Sequence, residues 1–261
     1  MSERTRIAVA GATGRLGRHV VDVAEERGYE VVPMSRSLGV DVVTGEGLAN
    51  ALEGVETVID AAAYPSNEQG PATDFFVASS WNLHQLGAQA GVQRLVVVSI
   101  IGIDRFSAGF LAAKKVHEQA VLEGPIPVSI LRAAQFHEFV EPLVSWTRRE
   151  NGVRYVPNMQ TQLVAARTVA EALVDMATDT EAAGGGASAP FPEIAGPRAE
   201  TLVDVATLLA ARRGESVRIE GVTDPADPNR DAYEHGGLLP GPDATLAGPT
   251  YEDWLESEAR S

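Results

Sequence analysis

Apolar runs alternate with helical patterns along the first half of the chain. Five runs are typical of parallel strands buried on both faces: RIAVAGA, EVVPMS, TVIDAAA, RLVVVSI and VSILRA. The segment VDVV at 40–43 predicts another short strand. Four apolar residues recur at helical spacing after the first run, namely Leu16, Val20, Val23 and Ala24, and further helices are predicted over roughly 73–90 and 111–123. This βαβα order predicts a doubly wound, mainly parallel α/β sheet.

The pattern becomes less regular after about residue 135. Thr168 and Glu171 have the spacing of a capping box at the start of a helix, and TLVDVATLLAARRG predicts an amphipathic helix that ends at Gly214. Residues 221–250 are rich in Pro, Gly and Asp. Long irregular stretches of this kind are usually lids, binding loops or mobile segments.

The length of 261 residues, of which 44% are hydrophobic, is sufficient for a full core. We expect a single domain over residues 1–261, built on the parallel sheet. A small C-terminal lobe is expected to bind the substrate, formed mostly by residues 136–160 and 197–261.

Composition excludes several classes of function. The net charge of -15 argues against nucleic-acid binding, which needs a basic surface. The absence of cysteine excludes disulfides, thiolate metal sites and cysteine nucleophiles, and the five histidines show no metal-ligand spacing, so no metal is predicted. No apolar run approaches the roughly 20 residues of a membrane span, and MSERTRIAVAGATG has no secretory signal. We expect a cytoplasmic monomer or homodimer that binds neither nucleic acid nor membrane.

The segment VAGATGRLGRHV places three glycines between the first strand and the first helix. Gly11 permits a tight turn, Gly14 lets the backbone approach a pyrophosphate, and Gly17 allows the helix to pack closely on the strand. The helix N-terminus then offers N–H donors to the anion. The residues between the glycines, Thr13, Arg15 and Leu16, are expected to contact the cofactor as well.

The end of the second strand, VVPMSRS, usually selects between the two nicotinamide cofactors. An acidic residue there would bind the ribose hydroxyls of NAD(H). This chain instead has Ser35, Arg36 and Ser37, which suit the 2′-phosphate of NADP(H). One charge-assisted interaction from Arg36 would give roughly 10- to 100-fold preference. NADP(H) is therefore favoured over NAD(H), and the alternative is that Arg36 is a solvated loop cation.

Two further segments are expected to pass along the cofactor. Asp41 and Val42 occupy the usual adenine position, although Asp41 fits a turn residue equally well. The residues after the strand TVID, Ala61, Ala62 and Ala63, lie where the chain passes the cofactor in such folds.

Candidate catalytic residues follow later strands. Ser99 ends RLVVVSI, and Ala134 and Phe136 follow VSILRA. With Lys114 they are expected to line a nicotinamide pocket, because ligands bind outside the carboxyl ends of strands in open α/β sheets. His137, with an ordinary pKa near 6.5, is a candidate proton donor.

Each of these residues also has a structural interpretation. Ser99 fits a hydroxyl that caps local backbone, and His137 fits a surface or helix-capping histidine. Lys114 fits an exposed helix lysine beside Lys115. Glu138 and Glu141, three apart, fit a solvated helix face better than an acid/base pair.

Five motifs together resemble the NmrA-like, atypical short-chain dehydrogenases/reductases, over essentially the whole chain: GATGRLG, SIIGID, K…HEQAV, ILRAAQFHEF and LLPGPDATLAGPTYEDWL. The resemblance implies a Rossmann fold and places Lys114 at the lysine of the Tyr-x-x-x-Lys motif, in contact with the nicotinamide ribose. Phe110 occupies the tyrosine position, and Ile101 stands where the usual serine lies. The polar residues considered as a replacement for the phenol are Tyr64, His137, Tyr155 and Tyr251.

The resemblance, with these departures, gives three hypotheses of function. The first is an NADPH-dependent reductase of a small conjugated or aromatic carbonyl or a quinone-type substrate. The second is a non-catalytic NADP(H)-binding sensor with a protein partner. The third, ranked last because of Phe110, is a reaction that returns its cofactor unchanged, such as epimerisation.

Overall fold

Strands and helices alternate along the chain as its apolar runs predict. The computed structural model describes residues 5–179 and 189–258. Up to residue 133 the elements are β1 (Arg6–Ala10), α1 (Gly17–Glu26), β2 (Glu30–Met34), α2 (Leu48–Ala51), β3 (Thr57–Asp60), α3 (Gln69–Ala90), β4 (Arg94–Ile100), α4 (Gly109–Leu122) and β5 (Val128–Ala133). After residue 133 they are α5 (His137–Ser145), β6 (Arg149–Glu150), β7 (Val153–Pro157), β8 (Gln160–Thr161), α6 (Ala166–Thr178), β9 (Glu193–Ala195), β10 (Glu200–Thr201), α7 (Leu202–Arg212), β11 (Arg218–Val222), α8 (Arg230–Glu234), β12 (Thr245–Leu246) and α9 (Tyr251–Glu258).

The chain divides into two compact units. The first contains residues 1–99, 108–132 and 169–192, and its strands follow the order β5-β4-β3-β1-β2. β1 pairs in parallel with both β2 and β3, and β3 pairs in parallel with β4. All four residues of β3 are buried, because parallel strands with helices on both faces have no solvated side. The predicted doubly wound, Rossmann-like α/β fold is confirmed.

Two sequence predictions for the first unit need correction. Residues 40–43 lie in a loop that turns at 42–44 instead of forming a strand, since Asp41 Oδ1 accepts the backbone N–H of Val43 at 2.8 Å and of Thr44 at 3.4 Å. Aspartate competes with strand pairing in this way by bonding to the backbone that follows it. The long helix α3 begins at Gln69, four residues before the predicted start near residue 73.

The second unit contains residues 100–107, 133–168 and 193–261. It has a three-stranded sheet of order β11-β7-β6, in which β7 pairs in parallel with β11 and antiparallel with β6. β8 pairs antiparallel with β10, and β9 pairs in parallel with β12. The helix predicted before Gly214 is α7, and it begins at a capping box formed by Thr201 and Asp204.

The capping box predicted at Thr168 and Glu171 is wrong. Helix α6 begins at Ala166, so Thr168 lies inside the helix. Both carboxylate oxygens of Glu138 instead accept the backbone N–H of Ala166, at 3.1 and 3.2 Å. A carboxylate at this end of a helix binds free N–H groups and interacts favourably with the helix dipole. Glu138 is therefore a cap, not a member of a solvated face.

None of the helices in residues 5–179 and 189–258 is long and apolar enough to cross a membrane.

Candidate cofactor and active site

The glycine-rich loop joins β1 to α1 in the first unit. Gly11 has a φ of +75°, and a Cβ there would lie 2.7 Å from the carbonyl oxygen of Ala61. A Cβ at Gly17 would overlap the carbonyl oxygen of Gly11. Side chains at either position would force the loop away from α1 or from the end of β3. Gly14 is exposed and donates its N–H to the Gly11 carbonyl at 2.8 Å.

The N-terminus of α1 has the features of an anion site. Its first turn contains no acidic residue, and no side chain caps it. The backbone N–H groups of Leu16 and Gly17 have no acceptor within residues 5–179 and 189–258. Thr13 and Arg15 lie beside them with exposed side chains. Free N–H groups and the positive end of the helix dipole together favour a phosphate.

The loop after β2 presents the predicted cofactor-selecting residues. Ser35 Oγ lies 3.0 Å from Ser37 Oγ. Arg36 is exposed and has no ion pair with any residue that the structure describes. Its guanidinium is therefore available to a ligand phosphate. The next candidate, Asp41, has one carboxylate oxygen committed to the turn described above, while the side chain of Val42 is half-buried.

The end of β3 lies against the glycine loop. Ala61 donates its N–H to the Ala10 carbonyl at 3.0 Å, and its own carbonyl faces Gly11. Ala62 is buried, whereas Ala63 is exposed. The N–H of Ala62 bonds at 3.0 Å to Oδ1 of Asp60, a carboxylate that is 2% exposed. This alanine segment therefore packs on the loop and fixes the orientation of a buried carboxylate.

The predicted catalytic lysine is buried at the centre of a polar chain. Lys114 is 4% exposed, and its Nζ donates to the Val98 carbonyl at 2.8 Å and lies 2.9 Å from His117 Nδ1. His117 Nε2 lies 3.3 Å from Asp60 Oδ2. The alternative that Lys114 is an exposed helix lysine is thereby excluded. We call Lys114, His117 and Asp60 the buried triad.

Burial controls the electrostatics of the buried triad. It lowers the pKa of Lys114 to about 8, although the charges of Asp60 and Glu118 oppose this shift. Burial, followed by the charge of Lys114, lowers the pKa of His117 to about 4. Burial would raise the pKa of Asp60, but the hydrogen bond and charge of His117 bring it below the usual value. At neutral pH the favoured state is therefore an ammonium, a neutral imidazole and a carboxylate.

Phe110, the residue that the family resemblance places at the tyrosine position, belongs to an aromatic cluster. Phe110 packs edge-on against Phe76 with ring centroids 5.7 Å apart, and Phe76 stacks on His117 at 4.5 Å. Lys114 Nζ lies 4.8 Å from the centre of the Phe76 ring. Tyr64 packs against the same cluster. Among the residues considered as replacements for the phenol, Tyr64 is the one in the first unit, while His137, Tyr155 and Tyr251 belong to the second.

Ser99 lies near the end of β4, where it was predicted. It is 2% exposed, and its Oγ has no hydrogen-bond partner among the described residues. The alternative that it caps local backbone therefore has no support from the structure.

The remaining candidates, Ala134, Phe136 and His137, belong to the second unit. Ala134 is buried and bonds through its N–H to the carbonyl of Ile194 at 2.9 Å. Phe136 is half-buried just before α5. His137 is 1% exposed and packs with ring centroids 5.5 Å from both Tyr251 and Trp254.

The expectation of an ordinary pKa at His137 does not hold. Burial lowers its pKa to about 4, an effect that the backbone of Leu163 partly opposes. The imidazole is then neutral near pH 7 and has no extra proton to give. These features favour a structural role for His137 within an aromatic core.

Sequence reasoning missed two members of the buried triad, Asp60 and His117. A signal for His117 was present, because residues three apart share a helix face and His117 follows Lys114 at that spacing. Asp60 was visible only as a strand-end residue before the alanines. Within residues 5–179 and 189–258 no group of three or more His, Cys, Asp or Glu side chains could hold a metal ion.

Comparison with known proteins adds the family. The sequence profile described as NAD(P)H-binding matches residues 11–180, which is more than half of the chain. The chain belongs to the NAD(P)H-binding family. This assignment agrees with the glycine loop and the free N-terminus of α1, and also with the resemblance to the atypical short-chain dehydrogenases/reductases.

The NAD(P)H-binding chain also has relatives and structural neighbours. It is 26% identical over 241 residues to the photosystem II assembly factor Ycf39 of Synechocystis, covering 83% of this chain and 70% of that protein. MoeE5, solved with UDP-glucose and NAD, superposes with a TM-score of 0.70 at 18% identity over 97% of this chain and 99% of its own. A short-chain dehydrogenase/reductase superfamily protein from Agrobacterium tumefaciens with bound NAD superposes with a TM-score of 0.68 at 18% identity, over 98% of this chain and 96% of its own. At this identity the two structures establish the fold.

Proposed function

We propose that this NAD(P)H-binding protein is a reductase that uses NADPH to reduce a small conjugated or aromatic carbonyl or a quinone-type substrate. The observation that supports the proposal most strongly is the Lys114 ammonium. It is buried, and its Nζ donates to the Val98 carbonyl at 2.8 Å. Four residues before it, where the family resemblance expects a tyrosine, the chain has Phe110. A buried positive charge without a phenol suits a substrate whose negative charge is delocalised.

The chemistry of hydride addition explains this choice of substrate. Bound NADPH would supply a hydride to an electrophilic carbon, and the displaced electron pair would move to the carbonyl oxygen. In a simple ketone this produces a strongly basic alkoxide, for which a positioned general acid contributes about 10²- to 10⁴-fold. A quinone or an enone spreads the charge, so electrostatic stabilisation by Lys114 is sufficient and water can protonate the product afterwards.

The preference for NADPH rests on the loop after β2. Arg36 is exposed and has no ion pair within the described chain, with the hydroxyls of Ser35 and Ser37 beside it. A guanidinium binds phosphate through charge-assisted hydrogen bonds. Substrate specificity is assigned in this proposal to the lobe predicted from residues 136–160 and 197–261.

The experiment is NADPH oxidation by the purified protein with a panel of quinones, enones and simple ketones. We expect turnover with the conjugated substrates, weaker turnover with NADH, and a loss of about 100-fold or more in Lys114→Met. Lys115→Met is the matched control, because the neighbouring lysine is half-exposed and lies outside the buried triad. Tight NADPH binding without turnover on any substrate would refute the reductase.

A second candidate function is a non-catalytic NADP(H)-binding sensor that acts on a protein partner. Phe110 in place of the phenol favours it, and so does the similarity to a protein named as an assembly factor. The same panel separates the two functions. A sensor would bind NADPH and NADP⁺ with different affinities and would reduce none of the substrates.

A further inference from the structure

The three hydrogens of the Lys114 ammonium can be assigned individually. One is donated to the Val98 carbonyl at 2.8 Å. A second points to His117 Nδ1, 2.9 Å from Nζ, and this contact requires a lone pair on Nδ1 when the amine is charged. The third N–H has no hydrogen-bond acceptor in residues 5–179 and 189–258, where Nζ otherwise lies 4.8 Å from the centre of the Phe76 ring, so this N–H is the one open to a ligand.

The second nitrogen of His117 then has a defined state. Because Nδ1 accepts from Lys114, the ring proton of a neutral imidazole lies on Nε2. Nε2 is 3.3 Å from Asp60 Oδ2, a close polar contact whose geometry falls short of a hydrogen bond, and neither atom has a hydrogen-bond partner among the described residues. Asp60 is oriented in turn by the N–H of Ala62 at 3.0 Å. The polar chain thus runs from the end of β3 through His117 to the lysine.

The other elements around the triad carry few charges. On α4, Glu118 forms a bidentate pair with Arg132 of β5, at 2.9 and 2.7 Å, so its carboxylate is already compensated. β4 contributes a backbone carbonyl. α3 contributes the ring of Phe76, which stacks on the imidazole. Asp60 is therefore the carboxylate in direct contact with His117, and Glu118 is the second acidic group that acts on it.

We propose that His117 and Asp60 are positioning residues, which together fix one of the three N–H groups of Lys114. The Val98 carbonyl holds the second, and the third is left for the cofactor ribose or the substrate. The proposal rests on the proposed function in one respect, that Lys114 is the group the reaction uses. Asp60 acts at a distance, since its carboxylate holds the imidazole tautomer that accepts from the lysine. Loss of either residue is expected to free the ammonium to rotate and to change its proton affinity.

The composition of the chain makes a direct test practical. Lys114 and Lys115 are its only two lysines, and it has five histidines. With ¹³C-labelled lysine, an NMR titration of the full-length protein gives two ε-carbon signals, assigned with Lys115→Arg. We expect Lys114 to titrate near pH 8 in the wild type. In Asp60→Asn the midpoint of Lys114 is expected to fall by about one pH unit, because the substitution removes a negative charge that stabilises the ammonium. The titration of the Lys115 signal is expected to stay unchanged.

The imidazole tautomer is a second readout that needs neither substrate nor turnover. ¹⁵N-labelled histidine distinguishes a protonated ring nitrogen from an unprotonated one. We expect His117 to carry its proton on Nε2 in the wild-type protein. A proton on Nδ1, or a Lys114 midpoint that Asp60→Asn leaves unchanged, would overturn the proposal even if every variant folds.

Two conservative variants separate the two contacts of His117. His117→Asn keeps an amide oxygen near the position of Nδ1 but cannot reach Asp60, and His117→Leu removes both contacts. We expect His117→Asn to retain kcat within about tenfold, His117→Leu to lose about 100-fold, and KM to change little in either. We also expect the alkaline fall of kcat, which follows deprotonation of Lys114, to move to lower pH in Asp60→Asn. A uniform loss of kcat at every pH in all three variants would indicate a merely structural role.

The two proposals can fail independently. If no substrate is reduced, the proposed reductase fails, while the lysine titration and the histidine tautomer still test the positioning role. If a substrate is reduced but the titration midpoint of Lys114 is unchanged in Asp60→Asn, the proposed reductase is supported and the positioning role is refuted.

Discussion

Replacement of His137 by leucine tests whether this histidine is a core residue or a proton donor. Its imidazole is 1% exposed beside Tyr251 and Trp254, and its pKa is lowered to about 4 from an ordinary value near 6.5. The unfolded chain therefore binds a proton on this residue at a pH where the folded chain does not. The contribution of the neutral His137 to the free energy of unfolding is therefore fully present above pH 6.5. It is lost as the pH falls from 6.5 towards 4, because protonation then stabilises the unfolded chain.

The size of the effect follows from the shift. A difference of about 2.5 pH units corresponds to about 3 kcal/mol of unfolding free energy once the pH is below both values. At pH 5 about 2 kcal/mol of this is already lost. His137→Leu cannot take up the proton, so it lacks this part of the acid sensitivity. Its own packing cost is the same at every pH and cancels in the comparison.

Urea unfolding at pH 7.5 and pH 5, followed by tryptophan fluorescence, measures the difference. We expect the wild type to lose about 2 kcal/mol more than His137→Leu between these two pH values. His235→Gln is the matched control, because it replaces an exposed histidine of the same unit and leaves the packing of His137 with Tyr251 and Trp254 unchanged. Parallel losses in the wild type and in His137→Leu would refute the reasoning.

Two further predictions concern the cofactor. Arg36→Ala should weaken NADPH binding by about 10-fold or more and leave NADH binding nearly unchanged, as measured by fluorescence titration, and an equal loss for both cofactors would contradict the assigned phosphate contact. Gly17→Ala should abolish binding of either cofactor, because the added Cβ would overlap the Gly11 carbonyl and move α1 from the loop. Gly70→Ala is its control, since a Cβ there meets no atom within 4 Å, and it should bind like the wild type.

The fold and the cofactor-binding loop could be predicted from the sequence, because both depend on residues that are close together along the chain. The buried strands were visible because each is a short, nearly continuous apolar run, and β3 is buried at all four of its residues. The roles of Gly11 and Gly17 were also predictable, since a left-handed turn and a close helix approach both depend on backbone near in sequence. The incorrectly predicted strand at 40–43 shows the limit of this reasoning. The three valines favour a strand, but the side chain of Asp41 accepts a backbone N–H and stabilises a turn instead.

The contacts that define the site were decided by tertiary structure. Asp60 and His117 are 57 positions apart, and only the arrangement of β3 beside α4 brings their side chains to 3.3 Å. Glu138 caps a helix that begins 28 residues later, where the sequence suggested a local cap. In each case the sequence supplies a residue of suitable chemistry, because composition and spacing are local properties. Partner, burial and proton affinity depend on which distant segments exclude water around that residue, and only the folded chain determines them.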